Sequence, residues 1–489
     1  MKKRIIFTLS IILTLIIIFI SYFYIDKSIG NKDSFLQKFK NYIPQHTKVF
    51  LKKNIFFSKY IENLSNEKKY YQILLADQKR KLTFMERQIE NLLILYKSIP
   101  IEKIDKIEKF KIENKNYILK KFKTNFLYSD KHKSGATGSS YLDYFDNKLF
   151  IASATGIFGY IDIDKFNDNR FDVPIIPSNI RQLIKYDDFY SSSSFGIKDL
   201  LIHKNKIYIS YNKQVKKDCY NTSILVSDLD LKELKFQKFF TPDLCIDEDN
   251  AYGEFVGEQS GGRMFPFKNN QILFTIGEYR FRDYAQDNNN IFGKIISIDI
   301  DTKKFKIISM GHRNPQGLYY EIDEDTIFST EHGPTGGDEI NINVSPGDEI
   351  KNYGWPISSY GEKYFRKKYR NEDSKYKDPT LYKSHKDYGF IEPLKYFTPS
   401  IAISQIIKIP SEYNKIKEKQ FFVGAMGTDV HTGDKSIHYF ILSNDNTIVK
   451  HNIIPLNERV RDMIYVKEVN KIFLFLETSA SIGILEAEK

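Results

Sequence analysis

Four short stretches gather glycine with charged and titratable residues: QSGGR (259–263), GHRNPQG (311–317), EHGPTGGDE (331–339) and NYGWP (352–356). Arg263, Arg313, Asp338 and Glu339 supply opposite charges, and His332 and Glu278 are side chains able to exchange a proton in general acid–base work. Two readings stand at this point. Arg313 beside Asp338 and Glu339 is either an ion pair that closes a fold or part of a ligand site, and His332 is either a satisfied inter-blade histidine or a working one. Taken together the clusters favour a site, because four glycine-rich loops with converging arginines and carboxylates are hard to explain as strand packing.

The elements that must position these loops repeat. An apolar strand, a polar turn and a second apolar strand recur as YLDYFDNKLFIASA, DLLIHKNKIYISY, GRMFPFKNNQILFTIG, QGLYYEIDEDTIFSTE, SQIIKIPSEYNKIKEKQFFVGA and DMIYVKEVNKIFLFLET, with closing strands such as GYIDI, ILVSDLD, IISIDI and EINI after several of them. None of these units can bury both faces alone, which is the signature of blades stacked radially. The repeats predict an all-β, six-bladed propeller over residues 125–489. In such a ring the loops between strands converge at one end of the central channel, so residues distant in sequence can build one site.

Composition agrees. The chain has 489 residues, 41% hydrophobic and 28% charged, which argues against wholesale disorder. Aromatics at 15% suit strands. The net charge of +11 comes from lysines spread along the chain rather than clustered on one element, so no nucleic-acid partner is expected. Two cysteines, Cys219 and Cys245, exclude a cysteine metal cluster. In an oxidising compartment they pair across a strand and a returning loop; the alternative is two buried thiols.

Residues 5–25 carry no charge and are long enough to span a bilayer. Bulky residues follow the run where a signal peptide would have small ones, so an uncleaved anchor is expected. Lys2, Lys3 and Arg4 make residues 1–4 a cytoplasmic tail, and Tyr22, Phe23 and Tyr24 suit the far interface. The propeller is then expected on the periplasmic, extracytoplasmic side of the inner membrane. Residues 26–110 read as a helical stalk and linker. Ile61, Leu64, Tyr71, Leu75, Leu82, Met85, Ile89 and Leu92 follow coiled-coil steps that Lys68 and Gln78 interrupt, so residues 61–96 either join subunits or pack on their own propeller. Pro100 and the lysine-rich stretch after it read as a hinge.

GHRNPQG, EHGPTGGDEIN and NYGWP, in this order and spacing, resemble the soluble quinoprotein glucose dehydrogenases and their aldose and sorbosone dehydrogenase relatives. The resemblance extends more weakly over about residues 125–489 through QSGGR, TIGE and NERVRD. It implies a six-bladed propeller that binds pyrroloquinoline quinone with calcium and oxidises the C1 hydroxyl of a sugar substrate. Carried over, Arg313 and Asn314 contact the quinone, with His332 and Asp338 in the same loops. The main-chain carbonyls of Gly333 and Pro334 ligate calcium, and Arg459 and Arg461 pair with the cofactor carboxylates.

This chain departs from the resemblance at the base. Gln259 stands four residues before Arg263, where the family has its catalytic histidine, and an amide cannot accept a proton. Glu278 stands where the family has the aspartate that orients the histidine. A cofactor-contacting lysine of the fifth blade has no counterpart around Gly427. Two functions follow: a membrane-anchored quinoprotein sugar dehydrogenase in which His332 or Glu278 serves as base, or a non-catalytic propeller that binds a carbohydrate or a protein partner.

Overall fold

The inner hairpins of the propeller follow from turn chemistry. Asp146 and Asn147 both take positive φ (47° and 60°), as do Lys204 and Asn205 (51° and 56°). These two-residue turns match the twist of antiparallel strands. They join Ser140–Phe145 to Lys148–Ser153 and Ile197–His203 to Lys206–Lys216. A computed structural model describes residues 67–78, 81, 98–112, 115–124, 139–184, 196–250, 252–362, 381–427 and 434–488.

Among the described residues six units of four main strands follow one another, the second and third each with a further short strand, Ile246–Asp247 and Lys351–Asn352. Their first strands are Ser140–Phe145, Ile197–His203, Gly261–Phe267, Pro315–Glu321, Ile403–Ile409 and Val460–Val466. Each of these packs against the next, and the last returns to the first, which closes a propeller-like ring. The sixth unit borrows its outer strand: Lys115–Lys123 pairs with Ser481–Ala487, so the two ends of the described ring are joined by a β-ladder.

An inner strand lies at the edge of its sheet and leaves main-chain N–H groups without ladder partners. Side chains of the neighbouring blade take them. Asp462 accepts from Leu142 N at 2.8 Å, Asp143 from Ile202 N, and Asp199 from Met264 N at 2.7 Å. Arg263 gathers two of these carboxylates, donating to Asp199 at 2.9 Å and Asp462 at 2.7 Å. It also donates to the carbonyls of Gln316 and Arg461, and its guanidinium lies 5.1 Å from the Tyr141 ring. One buried arginine thereby ties the first, second, fourth and sixth units to the third.

The linker reading of residues up to 110 needs correction. Ser98–Ile112 is a strand, paired with Lys115–Lys123 on one side and Arg170–Ile176 on the other. Ile99, Ile101 and Ile112 are buried in the propeller core. Interspersed lysines give this edge-of-core strand the look of a solvated hinge. The propeller therefore begins before residue 125.

Cys219 and Cys245 are disulfide-bonded. Ile246–Asp247 returns antiparallel onto Tyr220 and Cys219, which brings the two residues together.

A separate unit, residues 1–82, contributes a described helix over 67–78, whose residues are exposed. The anchor run 5–25, and Ile61, Leu64, Leu82, Met85, Ile89 and Leu92 of the coiled-coil pattern, lie outside the described residues. Among the described residues no helix is long and apolar enough to cross a membrane.

Candidate functional site

The Gln259 backbone packs directly against Gly277. Tyr279 N donates to the Gln259 carbonyl at 2.9 Å, and a Cβ on Gly277 would fall 2.2 Å from that oxygen, so the two segments touch only through glycine. With its amide oriented to satisfy all neighbours, the Gln259 side chain donates to Glu278 Oε1 at 2.7 Å. Its oxygen accepts from Arg280 Nε at 3.1 Å and from Arg313 Nη2 at 2.8 Å. The carboxamide is held on three sides.

Glu278 is fully buried. Burial pushes its carboxyl up, against the pull of Arg282, Arg313 and Arg280, and its Oε2 has no hydrogen-bond partner. Tyr279 and Arg280 follow it with φ of 53° and 69°, a left-handed pair without glycine. Such positions cost free energy and cluster at functional sites. They place Arg280 against Gln259, with Glu254 3.6 Å from Arg280 and 3.1 Å from Arg282.

Arg313 is fixed from behind and above. Its main-chain N donates to Glu331 Oε2 at 2.7 Å, its Nη1 to the His332 carbonyl at 2.9 Å, and its guanidinium lies 5.4 Å from the Trp355 ring. Glu331 in turn meets His312 Nδ1 at 3.0 Å, and His312 Nε2 meets Ser309 Oγ at 2.8 Å. Of the two readings of Arg313, these contacts put it in the lining of a pocket that Glu339 also lines. Asp338 is committed elsewhere: Gly333 N, Ser400 Oγ, Ile401 N and Ile403 N all donate to its two oxygens. Asn314 likewise braces the chain, accepting from Gly261 N at 3.1 Å.

Arg313, His332, Gly333, Glu339, Trp355 and His385 line one pocket, together with Ser358 and Ser359. His332 Nε2 is buried there with no hydrogen-bond partner, and burial pushes its imidazole toward the neutral form, with Asp338 opposing and Arg313 and Arg461 adding to the effect. On the far side of the pocket His385 lies 3.2 Å from Glu339 and 3.0 Å from Ser358 Oγ. His385, Trp355 and Arg280 escape sequence reading, since only the NYGWP stretch marks one of them.

The Gly333 loop is crowded with oxygen. A Cβ on Gly333 would stand 2.2 Å and 2.3 Å from the carbonyl oxygens of Gly336 and Gly337. Among the described residues no group of three or more His, Cys, Asp or Glu could hold a metal, so a hard cation would rely on main-chain oxygens such as these. The Gly336 and Gly337 carbonyls are the oxygens gathered at this loop, and His332 and Arg313 line the same pocket.

Arg459 and Arg461 share Glu477, whose carboxylate they hold low against its burial. Arg459 also donates to the carbonyls of Met426 and Gly427. Gly427 abuts the Asp434 carbonyl, 1.9 Å from where a Cβ would be, so a side chain at that position has no room.

This propeller-like ring has the fold of the glucose dehydrogenases. A glucose dehydrogenase structure matches with TM-score 0.56 and 21% identity, covering 72% of this chain and 96% of that one. The soluble aldose sugar dehydrogenase of Escherichia coli, in its apo form, matches with TM-score 0.54 and 21% identity, covering 71% of this chain and 95% of that one. The family model for Glucose / Sorbosone dehydrogenase matches residues 175–485, and the chain belongs to that family. Aldose sugar dehydrogenase YliI of Escherichia coli is 28% identical over 242 residues, 47% of this chain and 59% of the relative. An uncharacterised Synechocystis protein is 29% identical over 230 residues, 42% of this chain and 51% of the relative. Quinoprotein glucose dehydrogenase B of Acinetobacter calcoaceticus is 30% identical over 125 residues, 23% of this chain and 25% of the relative. The matches thus span about half the length of the first two curated relatives.

Proposed function

We propose that this protein is a quinoprotein sugar dehydrogenase in which the base for C1–OH oxidation has given way to a clamped carboxamide. The observation that carries the reading is the meeting of Arg313, His332 and Gly333, from two family motifs, around one pocket that holds an unpaired imidazole nitrogen. Pyrroloquinoline quinone would supply the two-electron acceptor and calcium the Lewis acid. Arg313 and Arg461 would hold the quinone, and Gly333 and Pro334 the metal, by main-chain oxygens. Gln259 leaves the departing hydroxyl proton without an acceptor at its position, and turnover on aldoses is weak for that reason. The same residue favours the second reading, a non-catalytic propeller that binds a carbohydrate. Reconstitution with the quinone and calcium separates them: retention of cofactor with slow dye reduction supports the first, and no retention supports the second.

The proposal extends to placement. Residues 5–25 anchor the chain in the inner membrane, the propeller lies on the periplasmic side, and residues 61–96 join copies of the chain. Protease added to intact spheroplasts should release the propeller. A protected propeller would show the reverse orientation.

A further inference from the structure

A second cleft lies away from the motif loops, between the second and third units. Its volume is about 560 Å³, and residues 239–243 and 303–305 line it, none of them from the glycine-rich stretches. One wall is Gln237–Phe240, the outer strand of the second unit, with residues 241–243 that follow it. The other is the turn from Lys294–Asp299 to Phe305–Met310 in the third unit. Clefts that hold small molecules measure roughly 300–1,000 Å³ and combine apolar walls with a few polar groups. This one has that composition. Phe240 and Phe305 meet edge to face with centroids 5.8 Å apart, Pro242 adds apolar wall, and Phe305 is 47% exposed.

The polar groups of the cleft favour an anion. Lys303 Nζ is held over the Phe239 ring, 4.1 Å from its centroid, and donates to the Ile300 carbonyl. The turn sets its place in advance: Lys303 has a φ of 61°, its N donates to the Asp299 carbonyl at 3.0 Å, and Thr302 N donates to Asp299 Oδ1 at 2.7 Å. The nearby carboxylates have partners of their own, Asp299 within this turn and Asp301 with Asn270 at 2.9 Å. Burial lowers the Lys303 ammonium, with Asp301 opposing and Lys206 adding, so its charge is short of water. Lys304 and Asp243 complete the charged lining, two lysines against one acid. Thr241 Oγ1, on the same wall, is buried with no hydrogen-bond partner. A buried hydroxyl left unpaired is uncommon and suits a ligand's polar end.

We infer that this cleft binds a small aromatic carboxylate, its ring against Phe240, Pro242 and Phe305 and its carboxylate on Lys303, Lys304 and the Thr241 hydroxyl. An aromatic body gains edge-to-face contact with the exposed Phe305, and the anion meets a cation that the turn has already placed, so little further side-chain entropy is lost. The cleft shares no residue with the pocket at Arg313, so it binds its ligand whether or not a sugar is oxidised there. The test is calorimetric titration of the full chain in neutral lipid discs, with empty discs subtracted, using three probes of one shape: 2-naphthoate, 2-naphthylmethanol and 2-naphthylmethylamine. Naphthoate should fill one site about tenfold or more tightly than the alcohol or the amine. Phe305→Ser should weaken naphthoate about tenfold, and Lys303→Met with Lys304→Met should bring it level with the alcohol. Val449→Ser, at a position 60% exposed in the fifth unit, should change neither. Thermal scans of each variant report folding, and Lys304→Met alone should still cut the preference for the anion. Equal affinity for the three probes overturns the site, as does a naphthoate affinity that survives every cleft substitution. Attachment to anionic vesicles with no binding of free naphthoate marks a lipid surface instead and overturns it too.

Discussion

Gln259 donates to Glu278 across 2.7 Å while its oxygen takes Arg280 and Arg313, so the position that should accept a proton is filled by a side chain turned wholly to its neighbours. The clamp explains why Glu278 tolerates full burial. One oxygen is hydrogen-bonded, and three arginines lie close enough to pull its titration back down. The clamp engages only Oε1, so the unpartnered Oε2 keeps Glu278 a candidate base.

The disulfide should matter for stability rather than for chemistry. Cys219 and Cys245 are 26 residues apart, and cross-linking such a loop contributes about 3 kcal/mol. The double Cys219→Ser, Cys245→Ser variant should lose roughly that much in chemical denaturation. Unchanged stability would show that the returning segment is held by Ile246–Asp247 pairing alone.

The Arg263 hub should give the fold a pH dependence. Burial pushes the Asp199 carboxyl up to about 7, Arg263 opposing and Asp462 adding, against an ordinary value of 3.8. The folded chain thus keeps a proton that the unfolded chain has released. This group's contribution is fully present below the unfolded value and is lost as pH rises through about 7. Between about pH 5 and pH 8 the Asp199→Asn variant should lose less of its melting temperature than wild type does. Equal losses in thermal scans would place the titration elsewhere.

Calcium binding should depend on the crowding at Gly333. Calcium should raise the melting temperature of wild type and a chelator should reverse it, by mass action on the folded state. Gly333→Ala puts a methyl 2.2 Å from the Gly336 carbonyl oxygen, so the loop must open and the shift should vanish. A variant that keeps the shift would move the metal away from this loop.

Much of the ring is legible in sequence, for a physical reason: each inner hairpin is two apolar runs around a short polar turn, and Asp146–Asn147 and Lys204–Asn205 are residues that accept positive φ. Ser98–Ile112 is not legible, because lysines between its buried isoleucines imitate a solvated linker. The motif loops reveal Arg313, His332 and Gly333. They do not reveal that Asp338 is consumed by four donors or that Asn314 braces Gly261, since both depend on where neighbouring strands end. Arg280 escapes because nothing in its sequence marks the left-handed turn that aims it.

The central claim is that the base at position 259 is missing, and one comparison tests it most directly: cofactor retention and aldose-dependent dye reduction by wild type and Gln259→His, both reconstituted with pyrroloquinoline quinone and calcium. The account predicts equal retention, weak turnover by wild type, and a gain of about 10² to 10⁴ in the variant, the usual worth of a positioned base. Full activity in wild type, or a variant that retains cofactor without gaining turnover, would contradict it.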